Sequence, residues 1–396
     1  MSYLIFCSFE VGGLPYHFAE LLNKNGVQTY YVSIDRPSNR HDSTAFHYGQ
    51  CKAADWDLSP LFKEDLDNMD AMTGRLRNLK CQLGIKGCFA TGSKAFLLAR
   101  AGIPYAYWSF GADLDYLYSP YFFPQVRSFL KKHYYRLSGK TSFSEEMFKT
   151  LEAAKKIMIS PYQKHMLDRF EISKQLFFLP HVYSTAGDFD AVIKQKEDCR
   201  KALCGSFGTD HFFFSSVRQV WKNRSSLTGD NKNNDIAIKA FSLYLQKTRG
   251  DNCKLVMVNK GCDVGETKKI IRSLSLNKHV IWVDEIKRQD LFRYYMGSEL
   301  CLGHFGTPVV TNAALEPLSC ATPCVSYYGQ EAGGMPFYDE YPPLYNSNDP
   351  ARIADFMVRV NKDKEFAGQL RHKSWDWIRR FCSEKEFTGR FISIFN

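Results

Sequence analysis

The segment His304 to Val325 reads HFGTPVVTNAALEPLSCATPCV. An apolar strand leads into it, a run of small residues turns, and a helix opens carrying Glu316. Such a loop presents backbone N–H groups at a helix N-terminus, where hydrogen bonding and the helix dipole both favour a phosphate. Glu316, just inside that helix, is placed to accept hydrogen bonds from two vicinal ribose hydroxyls, contacts worth roughly 1.5–3 kcal/mol each. An acidic residue that only complements its helix dipole in the first turn reads the same way, and this stretch alone leaves both readings open.

Working outward, the chain alternates strand and helix from its start. Tyr3 to Phe9 has the length of a buried strand, Val11-Gly12-Gly13-Leu14-Pro15 follows, and a helix is expected from Pro15 until Gly26 stops it. Val27 to Ser33 is the next strand, so the chain opens as a βαβ unit. Gly12 and Gly13 either let backbone approach a phosphate or simply make a tight turn. A strand near Gly87 to Ala90, a helix from Ser93 to Ala101 and a strand ending at Phe110 come next. Asp113 then falls just past a strand's carboxyl end, where open α/β sheets bind ligands. Asp113-Leu114-Asp115 also has the form of a metal-binding pair, but two carboxylates opening a helix more often serve as a cap and a solvated neighbour.

Tyr116 to Leu137 mixes aromatics with Arg127, Lys131, Lys132, His133 and Arg136, a pattern that suits an anionic membrane surface or a packed helix with a basic face. A strand at Ile157 to Ser160, a helix at Gln163 to Phe170 and a strand at Leu176 to Pro180 close the first series. Between Tyr183 and Asp210 charged residues dominate and the apolar period weakens, which reads as the connection between domains. A second series starts at His211 to Val217. Arg218 follows it, then a polar loop containing Lys232, and the two cations form a natural diphosphate clamp. Further strands are expected at Lys254 to Val258, Val280 to Val283 and Glu299 to Leu302, with helices between them. Phe366 to Phe395 is a long aromatic-rich helical pattern whose Trp375, Trp377, Ile378 and Phe381 suit packing.

The 396 residues suffice for two domains of ordinary size, and 44% hydrophobic with 24% charged residues describes a globular chain. No run reaches the roughly 20 apolar residues of a membrane span, and the first residues lack the basic start of a signal peptide. Twelve scattered cysteines suit reduced thiols rather than a disulfide framework or a zinc site. The net charge of +10 suits an anionic partner. No zinc-finger or RNP-like motif points to nucleic acid.

In its N-terminal GGLPYHFAELLNKNG, its central VRQVWKN and KNNDIAIKAF, and its late KLVMVNKG, HVIWVDEI and LEPLSCATPCV, the chain resembles the GT-B glycosyltransferases, and among them the retaining family 4 (group 1) enzymes. The order and spacing of these segments carry more than any one of them. The resemblance implies an α/β chain of two Rossmann-like, doubly wound domains facing a central cleft. Residues 1–185 would form the acceptor domain and 186–365 the nucleotide-sugar domain, with a helical segment, 366–396, packing back towards the first.

By position it implies that Arg218 and Lys232 bind the donor's diphosphate and stabilise the leaving group, with Asp113 as a further catalytic residue. Gly12, Gly13, His304, Phe305, Gly306, Thr311, Asn312 and Glu316 would line the donor, and Trp282, Val283, Asp284, Glu285 and Ile286 would lie beside the nucleobase. Three features depart from the family pattern. Pro308 stands where the first glutamate of the paired motif belongs, the histidine after the middle N-terminal strand is absent, and Pro317 and Ala321 replace usual residues of the late helix.

The expected activity is metal-independent, retaining transfer of a sugar from a nucleoside diphosphate sugar, UDP- or GDP-linked, to a hydroxyl of a lipid- or protein-linked acceptor glycan. No cofactor beyond the donor and no nucleic acid is expected. The protein is expected in the cytoplasm, with peripheral membrane contact through the basic-aromatic stretch of the first domain. A nucleotide-sugar epimerase and a non-catalytic partner subunit are the alternatives that the same fold allows.

Overall fold

The computed structural model describes residues 2–8, 14–34, 54–109, 143–159, 167, 172–180, 182–183, 188–222, 231–249, 251–306, 310–329, 338 and 340–396. The chain divides into two compact units, Met1–Leu179 with Phe387–Asn396, and Pro180–Glu386.

In the first unit β1 (Ser2–Cys7), α1 (Leu14–Lys24) and β2 (Thr29–Ser33) are followed by α2 (Met69–Leu83), β3 (Ile85–Thr91), α3 (Phe96–Arg100) and β4 (Tyr105–Trp108). α4 (Phe143–Ala153), β5 (Lys156–Met158) and β6 (Gln175–Leu176) complete it. The strands form one sheet in the order β2-β1-β3-β4-β5-β6, with every neighbouring pair parallel. All six residues of β1 are buried, as a strand covered on both faces requires. Alternation splits the two faces. Leu4, Phe6, Cys88, Ala90, Tyr105 and Tyr107 meet α2 and α3 through Met72, Leu76, Leu97 and Leu98.

The opposite face is aromatic. Phe18 stacks on Trp108 with ring centroids 5.1 Å apart and meets Phe387 at 4.6 Å, and Tyr3 meets Phe391 at 5.5 Å. Gly87 lets Phe395 lie flat on β3, since a Cβ there would stand 2.4 Å from its ring. α2, over a stretch for which no element is expected above, has Met69, Met72, Leu76, Leu79 and Leu83 at helical spacing and packs them on the core.

The second unit contains α5 (Phe189–Phe207), β7 (His211–Ser215), α6 (Asn234–Thr248), β8 (Cys253–Val258), α7 (Val264–Ser273), β9 (Val280–Val283), α8 (Arg288–Gly297) and β10 (Leu300–Leu302). It continues with α9 (Asn312–Ser319), β11 (Cys324–Ser326), β12 (Tyr345–Asn346), α10 (Pro350–Lys362) and α11 (Lys364–Phe381). The last helix, α12 (Glu384–Ile394), begins after a break at Cys382 and carries the chain back into the first unit. The single helical pattern expected over 366–395 is thus two helices. Trp375, Trp377, Ile378 and Phe381 of the first are buried.

The second sheet runs β12-β11-β10-β7-β8-β9, all parallel. The chain builds outward from β7 to β9, then returns to the other side of β7 and builds through β10 to β12. That is the doubly wound order 3-2-1-4-5-6, whose direction reverses between β7 and β10.

The expected linker over 183–210 is corrected by α5, a 19-residue helix capped by Asp188, whose side chain accepts from Ala191 N. Its apolar period is broken because Lys196 occupies the buried face. The Lys196 ammonium donates to Met296 O, Ser298 O and Thr322 Oγ1 at 2.7, 2.9 and 2.7 Å, so all three of its donors are satisfied. Among the described residues no helix is long and apolar enough to cross a membrane, and the cysteines are free thiols.

Burial pushes the thiols of Cys88, Cys253, Cys301, Cys320 and Cys324 up, Cys301 to about 12. These groups stay protonated in the native state while the unfolded chain begins to lose its thiol protons near pH 9. Their stabilisation is complete below that pH and falls by about 1.4 kcal/mol per group for each pH unit above it. Lys196 opposes the trend, because burial and then the charge of Arg371 lower its pKa to about 8; one amine does not offset five thiols. The midpoint of thermal unfolding is therefore expected to drop steeply between pH 9 and pH 10.5 under reducing conditions. A level midpoint across that range contradicts this burial-driven account.

Candidate functional site

In a doubly wound sheet ligands bind beyond the carboxyl ends of the strands where the order reverses. In the second unit that point lies between the segment after β7 and the loop after β10. The β7 segment is pinned from below. Gln219 is fully buried, its N–H donates to Lys260 O at 2.7 Å, and its carbonyl accepts from Asp263 N at 2.9 Å. The Asp263 carboxylate accepts from Trp221 N and Lys222 N at 2.7 and 2.9 Å. Gly261, with φ +120°, permits this contact, since a Cβ there would stand 2.4 Å from Gln219 O. Val217 and Gln219 are buried and Arg218 between them is exposed, which sets the guanidinium at the rim.

The turn before α6 crosses to the other loop. Lys232 N donates to Val220 O at 2.6 Å, and Lys232 O accepts from Phe305 N at 3.0 Å. Asn234 Oδ1 accepts from Val220 N at 3.1 Å, and Asn233 takes the left-handed conformation that opens the helix. Gly306 lies flat on this turn, with no room for a Cβ, which would come 1.9 Å from Asn231 O. Lys232 is thus held beside the segment after β10 by direct backbone bonds to Phe305 and to Val220, twelve residues before it in sequence.

Beyond β10, His304 and Phe305 are each 1% exposed. The Phe305 ring belongs to the hydrophobic core of the unit, so the expectation that it lines the donor is corrected: its side chain faces inward. His304 O accepts from Tyr327 N at 2.9 Å and Ser326 Oγ at 3.0 Å, tying the loop to β11. Thr311 caps α9 through its carbonyl, and its hydroxyl is buried without a hydrogen-bond partner among the described residues. Asn312 Oδ1 accepts from Tyr183 Oη at 3.2 Å.

Glu316 is the fifth residue of α9, not in its first turn, and is 6% exposed. A role limited to complementing the helix dipole from the first turn is therefore excluded. Its Oε2 is 2.9 Å from Tyr295 Oη, which is also 2.8 Å from Ser216 Oγ. Pro317 lies inside the helix rather than in its opening turn. Tyr295 and Ser216 were not read as site residues from the sequence; the only local signal is the position of Ser216 directly after a strand.

The expected nucleobase region divides. Trp282 and Val283 belong to β9, at the sheet edge, and Lys268 Nζ stands 5.2 Å from the Trp282 ring centroid. That ring lines an outer cavity of about 260 Å³ with Arg272 and Asn277, apart from the reversal point. Asp284, Glu285 and Ile286 follow β9 at the carboxyl edge, and the Glu285 carboxylate pairs with Lys260. Gly12, Gly13, Asp113, Pro308 and the stretch 116–137 lie outside the described residues.

Residues 227–335 match the family model described as glycosyl transferases group 1. The matched segment includes Lys232, Tyr295 and Glu316 and begins after Arg218. No curated protein sequence matches the chain. Among solved structures, the chain is similar to Alr3699/HepE of Anabaena in complex with UDP-glucose, with TM-score 0.63, 12% identity, and coverage of 100% of this chain and 99% of that one. It is similar to sucrose-phosphate synthase from Thermosynechococcus elongatus, with TM-score 0.58, 14% identity, and coverage of 99% and 98%. A third is WaaG, a glycosyltransferase involved in lipopolysaccharide biosynthesis, with TM-score 0.53, 14% identity, and coverage of 98% and 99%. By the family match and by its two doubly wound parallel sheets, the chain has the GT-B fold and resembles the group 1 glycosyltransferases.

Proposed function

We propose that the protein transfers a glycosyl group from a nucleoside diphosphate sugar to a hydroxyl of an acceptor glycan. The observation that carries this reading is the pair of links at the reversal point of the second sheet: the Lys232 backbone joins Val220, two residues after Arg218, to Phe305 after β10, and the buried Glu316 is tied through Tyr295 to Ser216 at the end of β7, with Lys232 and Glu316 inside the family-matched segment. Glu316 accepts hydrogen bonds from the ribose hydroxyls. Arg218 and Lys232 face the diphosphate, and the N-terminus of α9 at Thr311 and Asn312 adds its dipole. The loop Asp284–Ile286 lies on the side where the base extends. Uridine is the favoured base, since the Anabaena protein is complexed with UDP-glucose; a guanosine donor is the second candidate.

In the reaction the bond from the sugar's anomeric carbon to the diphosphate oxygen breaks and a bond to the acceptor oxygen forms on the same face. The acceptor's proton passes to the departing phosphate, so configuration is retained and no strong protein base is required. The two cations and the helix terminus neutralise the growing phosphate charge, and the reading calls for no metal ion. The acceptor is a lipid- or protein-linked glycan, met in the cytoplasm at a membrane surface that the basic stretch 116–137 would touch.

Thermal-shift screening separates the donors, because a ligand that binds only the native state raises its midpoint. UDP or GDP, and the matching sugar, is expected to raise the midpoint while ADP leaves it unchanged; no response to any of them removes the nucleotide-sugar reading. Alanine at Arg218 or Lys232 is expected to lower turnover about 10²–10³-fold, the scale of losing one charge-stabilising group, while the unfolding midpoint without ligand stays near wild type. Wild-type turnover in either folded variant takes the clamp out of the mechanism.

A further inference from the structure

Tyr295 is held on every side. It is 1% exposed, its ring meets Phe214 and Phe292 edge to face at 5.4 and 6.1 Å, and its carbonyl accepts from Thr322 Oγ1 at 2.8 Å. Its hydroxyl lies between Ser216 Oγ and Glu316 Oε2. A phenol has one proton to give, and an ionised carboxylate can only accept. With Glu316 ionised, Tyr295 donates to Glu316 and must accept from the Ser216 hydroxyl, so the chain of bonds has one direction. Burial, and then the negative charge of Glu316, push the Tyr295 pKa well above the ordinary tyrosine value, which keeps the donated proton in place.

We propose that Ser216 and Tyr295 are positioning residues whose directed hydrogen-bond relay aims the Glu316 carboxylate at a ribose, so that the site selects ribonucleotides over 2′-deoxyribonucleotides. The proposal rests on the nucleotide-sugar reading and goes beyond it, because it assigns the ribose selectivity to residues outside the ligand's own contacts.

The local structure explains why such a support is needed. α9 has only eight residues, and Pro317, directly after Glu316, has no N–H to donate back along the helix. A glutamate side chain is long and rotatable, and ordering it on binding weakens affinity unless it is ordered beforehand. A fixed phenol at one carboxylate oxygen supplies that order. The bond at Oε2 does not exhaust a group with about four acceptor positions. A site built to hydrogen-bond a hydroxyl also discriminates strongly against an analogue that lacks it, because buried polar groups are then left unpaired.

The test is calorimetric titration of the full chain with UDP, 2′-deoxy-UDP, GDP and 2′-deoxy-GDP. The wild type is expected to bind the ribose form of its nucleotide about tenfold more tightly than the deoxy form, the equivalent of one charge-assisted hydrogen bond. Tyr295→Phe keeps the ring and its packing. It is expected to weaken the ribose form about tenfold while leaving the deoxy form almost unchanged, so that the ratio falls towards one. Ser216→Ala is expected to lower the ratio about two- to threefold, as loss of a second-step hydrogen bond would. A merely structural role weakens both forms alike and leaves the ratio intact, and that result in Tyr295→Phe overturns the relay while the nucleotide reading stands. Should Tyr295→Phe fail to fold, an unchanged ratio in Ser216→Ala overturns it instead. If the wild type binds none of the four, the nucleotide reading fails and the relay with it.

Discussion

Two backbone hydrogen bonds on a single residue join the halves of the site. Lys232 donates to Val220 at 2.6 Å and accepts from Phe305 at 3.0 Å. β7 and β10 are neighbours in the sheet, but the chain leaves β7 to build one way and leaves β10 to build the other, so their carboxyl-end loops have no reason in sequence to meet. Lys232 closes the gap with groups that would otherwise need other partners or water. Gly306 makes the closure possible, because a side chain there would collide with Asn231 O. The same two bonds hold Lys232 beside the segment that follows β10.

On this seam the polar groups differ in exposure. Arg218 is exposed but flanked by buried residues, and the Asp263 carboxylate and Gly261 fix the backbone that follows it. Glu316 is buried and tied through Tyr295 to the end of β7. A cation at the rim and a carboxylate within suit a ligand whose charged phosphates face outward and whose ribose is enclosed. At the amino end of the same sheet, Glu299 is paired with Arg200 and Arg371. Burial tends to raise its pKa, and the charges of Arg371, Lys196 and Arg200 outweigh this and hold it below the ordinary value. That end is sealed by ion pairs, and the carboxyl end carries the open loops.

Much of this was legible in the chain. The edge strand β9 matches its expected bounds, and β1, β7 and β8 fall within two residues of theirs at each end, because strands buried on both faces are short apolar runs between turn signals. Gly26, at φ +77°, marks the turn after α1, since only glycine takes that conformation without strain. The helical period of α5 is hidden because a lysine, its three donors satisfied by acceptors 100, 102 and 126 residues away, stands where an apolar residue is expected. α2 was legible too, since Met69, Met72, Leu76, Leu79 and Leu83 recur at helical spacing. In the candidate site, motif and spacing single out Arg218, Lys232 and Glu316 as expectations, whereas nothing in the sequence links Tyr295 to Ser216, which lie 79 residues apart and meet through their hydroxyls. The rings of Phe305 and Trp282 lie elsewhere than the sequence suggests. An aromatic residue next to a motif looks like a ligand platform in sequence, but one belongs to the core and the other to an outer edge.

The central claim is spatial: one nucleotide spans the reversal point of the second sheet. A crystal structure of the protein with UDP or GDP bound tests it most directly. The account predicts both ribose hydroxyls within hydrogen-bond distance of the Glu316 carboxylate, with the diphosphate between Arg218 and Lys232 at the start of α9. Density for the nucleotide anywhere else, or a ribose turned away from Glu316, contradicts it.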